Sequence, residues 1–131
     1  MERDGAEFTS SGDTEVILAA SRRWGTRCVE HFVGMWAFAI WDPQNKTLFC
    51  SRDRFGIKPL HYILRDGRLH LCSEIKALKL SPLFSGEINE AQVARGLYLG
   101  FMHHWEETYF SCVQALPASH NRLWTNGALK V

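Results

Sequence analysis

The run Ser51-Arg52-Asp53-Arg54-Phe55-Gly56-Ile57-Lys58-Pro59-Leu60-His61-Tyr62 decides the fold, together with the segments on either side of it. Before it, the unbroken apolar stretch Met35 to Trp41 reads as a strand covered on both faces. Asp42-Pro43-Gln44-Asn45 supplies turn chemistry, and Thr47 to Cys50 returns as the antiparallel partner. After it, His61–Arg65 and Arg68–Cys72 flank Asp66-Gly67, the strongest short hairpin signal a sequence offers. Between these hairpins lies a charged loop that carries Gly56 and Pro59, and its Arg52, Asp53, Arg54 and Lys58 have the look of a phosphate clamp.

Helices are expected outside this core. Val16, Ile17, Ala20 and Trp24 recur at helical spacing and predict a helix from Gly12 or Asp13 to about Trp24. Gly12 or Asp13 caps it, Asp13 and Glu15 suit its positive end, and Gly25 stops it. Thr26 caps a shorter helix through Phe32. Ser73 caps another over Glu74 to Lys79. Asn89 opens a third with Gln92 as capping-box partner, Val93 and Leu97 on its apolar side, and Gly100 as its stop. Residues 101 to 109 read as a loop. Strands follow around Ser111 to Leu116 and Asn121 to Thr125. Asn126-Gly127 then turns into a last strand ending at Val131. This order predicts an α+β domain of antiparallel sheets with flanking helices, spanning residues 1–131 as one domain.

Bulk composition excludes several classes. The chain has 131 residues, 46% hydrophobic and 22% charged, with a formal net charge of +1. That balance argues against disorder and leaves no electrostatic footprint for nucleic acid or an anionic membrane. The longest apolar run falls far short of the ~20 residues that span a bilayer. Cys28, Cys50, Cys72 and Cys112 are irregularly spaced, and the first residues are too polar for an export signal. We expect reduced thiols, small and buried, in a cytoplasmic protein.

Several motifs in order carry a resemblance: Gly5-Ala6-Glu7-Phe8-Thr9, Ser11-Gly12-Asp13-Thr14-Glu15-Val16-Ile17-Leu18, Phe32 to Asp42, the opening run, Ser73-Glu74-Ile75-Lys76-Ala77-Leu78, and Phe110 to Pro117. Together they resemble the class II glutamine amidotransferase domain of glutamine-hydrolysing asparagine synthetases, over nearly the whole chain. The resemblance implies a truncated N-terminal-nucleophile-type αββα sandwich: two stacked antiparallel sheets between helical layers. It further implies that the Arg52–Lys58 loop is structural, its path fixed by Gly56 and Pro59 and its charges forming a buried or half-buried polar network rather than a phosphate clamp. It also implies a chemistry. In that family an N-terminal cysteine attacks the glutamine amide with its own α-amino group as base. An Asn-Gly-Glu motif holds the oxyanion, an arginine binds the substrate carboxylate, and an aspartate binds the α-ammonium.

Transferred residue by residue, the resemblance places Asp13 at the ammonium-binding position, with Gly12 giving close backbone approach beside it. The chain opens Met1-Glu2, so the cysteine nucleophile has no counterpart. The Asn-Gly-Glu segment has none either, because Asn126-Gly127-Ala128 lies at the wrong end and reads as a turn. The expectation is a domain resembling the second half of the amidotransferase domain, silent in glutamine hydrolysis alone, with no catalytic residue, metal or cofactor assigned. Acyl transfer needs nucleophile, base and oxyanion site in mutual reach. Two other readings stay open: a binding or interaction module on the same scaffold, and part of a longer synthetase. Loss of a sheet partner and of cover for an apolar face predicts a homo-oligomer through an unpaired edge or exposed apolar face. An amino acid is the expected ligand.

Rival constellations are weaker. No histidine stands at a diagnostic offset from a cysteine. His103 and His104 with Glu106 and Glu107 offer metal-ligating atoms, but adjacent loop residues rarely chelate one ion, and a solvated loop is the plainer reading. Four of the five tryptophans fall in predicted elements and read as core. Trp105 lies in a loop and is expected to be exposed.

Overall fold

The structure is a computed structural model that describes residues 8–10, 12–100 and 105–130. The chain divides into two compact units, residues 1–34 and 35–131.

In the first unit, helix α1 (Asp13–Trp24) has the expected limits, with Gly25 as its C-cap at φ 62. Only Ala20 of the predicted apolar face is fully buried, while Val16 is 38% exposed. The chain then tightens into a 3-10 helix over Gly25–His31 rather than a separate helix capped by Thr26. The rings of Trp24 and His31 stack at 4.0 Å, which ties its end back to α1.

Among its described residues the second unit holds seven strands: β1 (Ala37–Asp42), β2 (Thr47–Arg52), β3 (His61–Arg65), β4 (Arg68–Cys72), β5 (Gln114–Ala115), β6 (Asn121–Thr125) and β7 (Ala128–Lys130). They form two antiparallel sheets, ordered β1-β2-β6-β7 and β4-β3-β5. Together with α2 (Ile75–Leu78) and α3 (Glu90–Leu99), this is the expected α+β arrangement of antiparallel sheets with helices.

Period-2 alternation sorts the side chains between two cores. Cys50, Leu60 and Leu116 cluster with Leu48 of β2 and Leu71 of β4, so residues of both sheets share one apolar layer. The opposite face of β3 sends Ile63 into a second cluster with Leu78, Leu83 and Val113. The fully buried core is mostly aliphatic, and none of the described tryptophans belongs to it. The size of the indole leaves part of each ring at a margin.

Three expectations change. β1 is an edge strand with Ala39 exposed and Trp41 49% exposed, not a strand covered on both faces. Helix α3 buries Gln92 and half-buries Val93, while Leu97 is 84% exposed. Its contact side is set by Gly96, where a Cβ would stand 2.6 Å from the Tyr109 hydroxyl. The predicted 111–116 strand shortens to two residues. Thr108 intervenes there: its hydroxyl donates to the carbonyls of Phe110 and Val113 and holds a tight turn.

Both glycine hairpins form as read. Asp66 and Gly67 have φ of 52° and 70°, and Asn126 and Gly127 have 49° and 79°, the double positive φ of type I′ turns. The two tips meet. A Cβ on Gly127 would lie 3.1 Å from the Gly67 Cα, and one on Gly67 would lie 3.4 Å from the Gly127 Cα. Two glycines are therefore needed twice over, for conformation and for approach.

Candidate functional site

Gly12 and Asp13 stand at the start of α1. Gly12 is extended, at φ -87 and ψ 142, and makes no side-chain cap. Asp13 is exposed in the first turn. The local anchor is Glu15. Its carboxylate accepts from the Ser10 hydroxyl at 2.7 Å, the Ser10 amide at 2.8 Å, the Thr9 amide at 3.1 Å and the Thr9 hydroxyl at 3.2 Å. The Ser10 hydroxyl and the Thr9 and Ser10 amides hold its pKa down to about 2. Glu15 thus fixes the segment entering the helix, while Asp13 is left exposed. Sequence reading assigned Glu15 only to the helix dipole. The Thr9-Ser10 pair a few residues before a first-turn glutamate was the available signal.

The charged loop after β2 is a closed network. Asp53 is 0% exposed, and its carboxylate accepts from the amides of Phe55 (3.1 Å), Ile57 (3.0 Å) and Lys58 (2.9 Å). Burial opposes ionisation of Asp53. The Lys58, Ile57, Phe55 and Trp36 amides outweigh it, so the carboxyl is held below its ordinary value. Arg52 is 6% exposed and donates to three carbonyls: Lys58 at 2.8 Å, Leu116 at 2.6 Å and Gly56 at 2.6 Å. Its guanidinium is spent on the backbone, which favours the structural reading of this loop over phosphate binding. Arg54 lies over the Trp36 ring at 5.3 Å. Lys58 contributes its backbone, and its side chain is exposed.

The two sequence motifs that flank the second hairpin converge. Arg52, Pro59 and His61 from the first and Ser73, Glu74, Ile75 and Lys76 from the second line a cavity of about 430 Å³ together with Trp105, Glu107, Thr108 and Tyr109. Its charged groups are engaged within the protein. Lys76 pairs with Glu74 at 2.6 Å, and Glu107 takes the Arg95 guanidinium at 3.1 Å and the buried Gln92 amide. His61 Nδ1 donates to the Ser73 carbonyl. Ser73 therefore braces β3 through its carbonyl rather than capping α2, whose N-cap is Glu74. Trp105, 37% exposed, receives Arg95 over its ring at 4.9 Å.

Glu106 was weighed above as a metal ligand. It accepts instead from the Tyr62 hydroxyl at 2.9 Å and from Arg122 at 3.2 Å. Burial, and then the bond to Glu106, push the Tyr62 phenol up to about 12. No group of three or more His, Cys, Asp or Glu side chains that could hold a metal occurs among the described residues, and His103 and His104 lie outside them. Among the described residues no helix is long and apolar enough to cross a membrane.

The four cysteines are free thiols. Burial pushes Cys28 up, and Cys50 up to about 12. Cys50 is 2% exposed within the apolar layer shared by the sheets, and Cys72 and Cys112 pack against the second core cluster. A nucleophilic thiolate needs a lowered pKa and an open, electropositive setting.

Known proteins share this pattern. The profile of the glutamine amidotransferase domain matches residues 1–131. Asparagine synthetase [glutamine-hydrolyzing] 3 of Bacillus subtilis is 35% identical over 127 residues, covering 97% of this chain and 21% of that protein. A putative asparagine synthetase of Methanocaldococcus jannaschii is 38% identical over 103 residues, covering 77% of this chain and 20% of its own length. One from Mycobacterium tuberculosis is 47% identical over 74 residues, covering 56% of this chain and 11% of its own length. The chain thus spans between about a tenth and a fifth of the length of these relatives. It belongs to the glutamine amidotransferase domain family and is homologous to the glutamine-hydrolysing asparagine synthetases.

Proposed function

We propose that these residues form the scaffold and glutamine-recognition part of an amidotransferase domain of the asparagine synthetase kind, and that they do not hydrolyse glutamine by themselves. The observation that carries this reading is the state of the thiols. Each of the four is packed in a core layer or in the helical first unit, and burial raises the two that are fully enclosed. None supplies the activated nucleophile that amide transfer requires. In this reading the two sheets are the central layers of an N-terminal-nucleophile-type αββα sandwich. Gly12 and the exposed Asp13 hold the α-ammonium of glutamine, and the ammonia chemistry serves asparagine synthesis in a cytoplasmic protein.

The test has two parts. Ammonia release from glutamine by the 131-residue chain should stay at the level of buffer. Calorimetric titration with glutamine should give a saturable curve that Asp13→Asn weakens at least tenfold. Release of ammonia would overturn the silent-scaffold reading. Equal binding by the wild type and Asp13→Asn would remove Asp13 from the site.

A second observation favours self-association. Among the described residues β1 leaves one backbone edge of its sheet unpaired, and it presents Trp41 beside it. Such edges recruit a strand from a neighbour. We infer a homo-oligomer, read by light scattering across a concentration series. A monomer at every concentration would refute it.

A further inference from the structure

We propose that Asn126-Gly127 is a site of spontaneous backbone modification, gated by its contact with the Asp66-Gly67 turn. Of the four asparagines in the chain, only Asn126 precedes a glycine. Asn126 is exposed at the tip of the β6–β7 hairpin, where solvent water has access. Glycine adds no side chain to shield its own backbone nitrogen. That nitrogen can attack Cγ of the Asn126 side-chain amide. A new C–N bond closes a five-membered succinimide, the bond from Cγ to the side-chain nitrogen breaks, and the nitrogen leaves as ammonia with the proton given up by the backbone amide. Water then opens the ring at either carbonyl. One product is aspartate. The other is isoaspartate, in which the main chain runs through the side-chain carbon. One water enters for each ring opened, one ammonia leaves, and no oxidant or reductant takes part.

The structure makes this site conditional. In the closed turn Asn126 sits at φ 49 and Gly127 at φ 79, while Thr125 and Ala128 remain paired across the ladder. Ring closure requires the intervening peptide plane to rotate out of that arrangement, so the hairpin tip has to open first. The Gly67 backbone resists the opening, with its Cα 3.1 Å from where a Gly127 Cβ would stand. The β3–β4 tip therefore acts as the latch of the β6–β7 tip, although the two turns belong to different sheets. The modification is also self-reinforcing. Isoaspartate lengthens the main chain of a two-residue turn that has no spare room. Either product adds a carboxylate at a tip that abuts the Asp66 turn, and the Asp66 carboxylate already serves Arg65 and Arg68 at 4.0 and 3.8 Å.

The experiment incubates the full chain in mildly alkaline buffer and follows Asn126 by peptide mapping and isoaspartyl methyl-transfer labelling. The synthetic peptide spanning residues 123–129 is the unconstrained reference. We expect conversion at Asn126 and at no other asparagine, several-fold slower than in the peptide. Gly67→Ala should speed it several-fold, because the added methyl pushes the tips apart. Asn126→Gly keeps the type I′ geometry and should abolish the signal. If Gly67→Ala does not fold, guanidinium below the unfolding midpoint serves instead, and the wild-type rate has to rise toward that of the peptide. An unmodified Asn126 when the peptide has fully converted, or a rate indifferent to both perturbations, overturns the proposal.

Discussion

Asp53 and Asp13 both lie in stretches that carried the resemblance, yet the protein treats them in opposite ways. Asp53 is sealed from solvent, and three backbone amides converge on its carboxylate. Asp13 is exposed, and the neighbouring Glu15 does the structural work. A buried carboxylate held by three backbone amides is a fold determinant. An exposed one at a helix start contributes little to folding, and it stays available for a ligand. Both motifs are equally conspicuous in the sequence, so only the surroundings distinguish a sealed carboxylate from an exposed one.

The largest effect is expected from Asp53→Ala. It takes the acceptor from three part-buried amides and leaves the enclosed Arg52 charge with less compensation, at a cost of roughly 3–5 kcal/mol. Urea unfolding should read it, and a loss below about 1 kcal/mol would break the contrast. Asp13→Ala should change stability by no more than about 0.5 kcal/mol, as surface substitutions usually do.

Acid should separate the same pair. The Asp53 carboxyl is held below its unfolded value. Its contribution is therefore complete above the unfolded pKa, near ~4, and is lost as pH falls through the lower folded value. Tryptophan-detected stability should decline below about pH 4, and the decline should be shallower in Asp53→Asn. Equal slopes would remove Asp53 as its source. Glu15 follows the same sign, with loss extending down to about 2. The smallest effect belongs to Glu15→Gln, which should quicken amide exchange at Thr9 and Ser10 while leaving the β3–β4 hairpin amides unchanged. Unaltered exchange at both residues would show that the carboxylate does not hold the entry segment.

This contrast also marks what the sequence could convey. Hairpins with Asp-Gly and Asn-Gly turns, the α1 limits and the Asn89 cap that accepts from the Gln92 amide were legible, because each is set by neighbouring residues. The Arg52–Asp53 network was legible as buried polarity, though not in its wiring, since Arg52 reaches the Leu116 carbonyl across 64 positions of sequence. The exposure of β1 and of Leu97 was not legible. An apolar run carries no record of which of its faces meets a neighbour, and β1 turns out to be an edge strand. Gly12 and Asp13 could be named as a candidate from the sequence, whereas the engagement of Glu106 and Glu107 by Tyr62, Arg122, Arg95 and Gln92 depends on contacts between distant segments.

Cys50 has a practical consequence. Its sulfur lies in the layer where residues of the two sheets meet, and burial suppresses its thiolate at ordinary pH. An alkylating reagent can reach it only when those layers part. The labelling half-life of Cys50, set against the faster reaction expected of the half-buried Cys72 and Cys112, would be an intrinsic clock for how often the interior opens, needing no added probe.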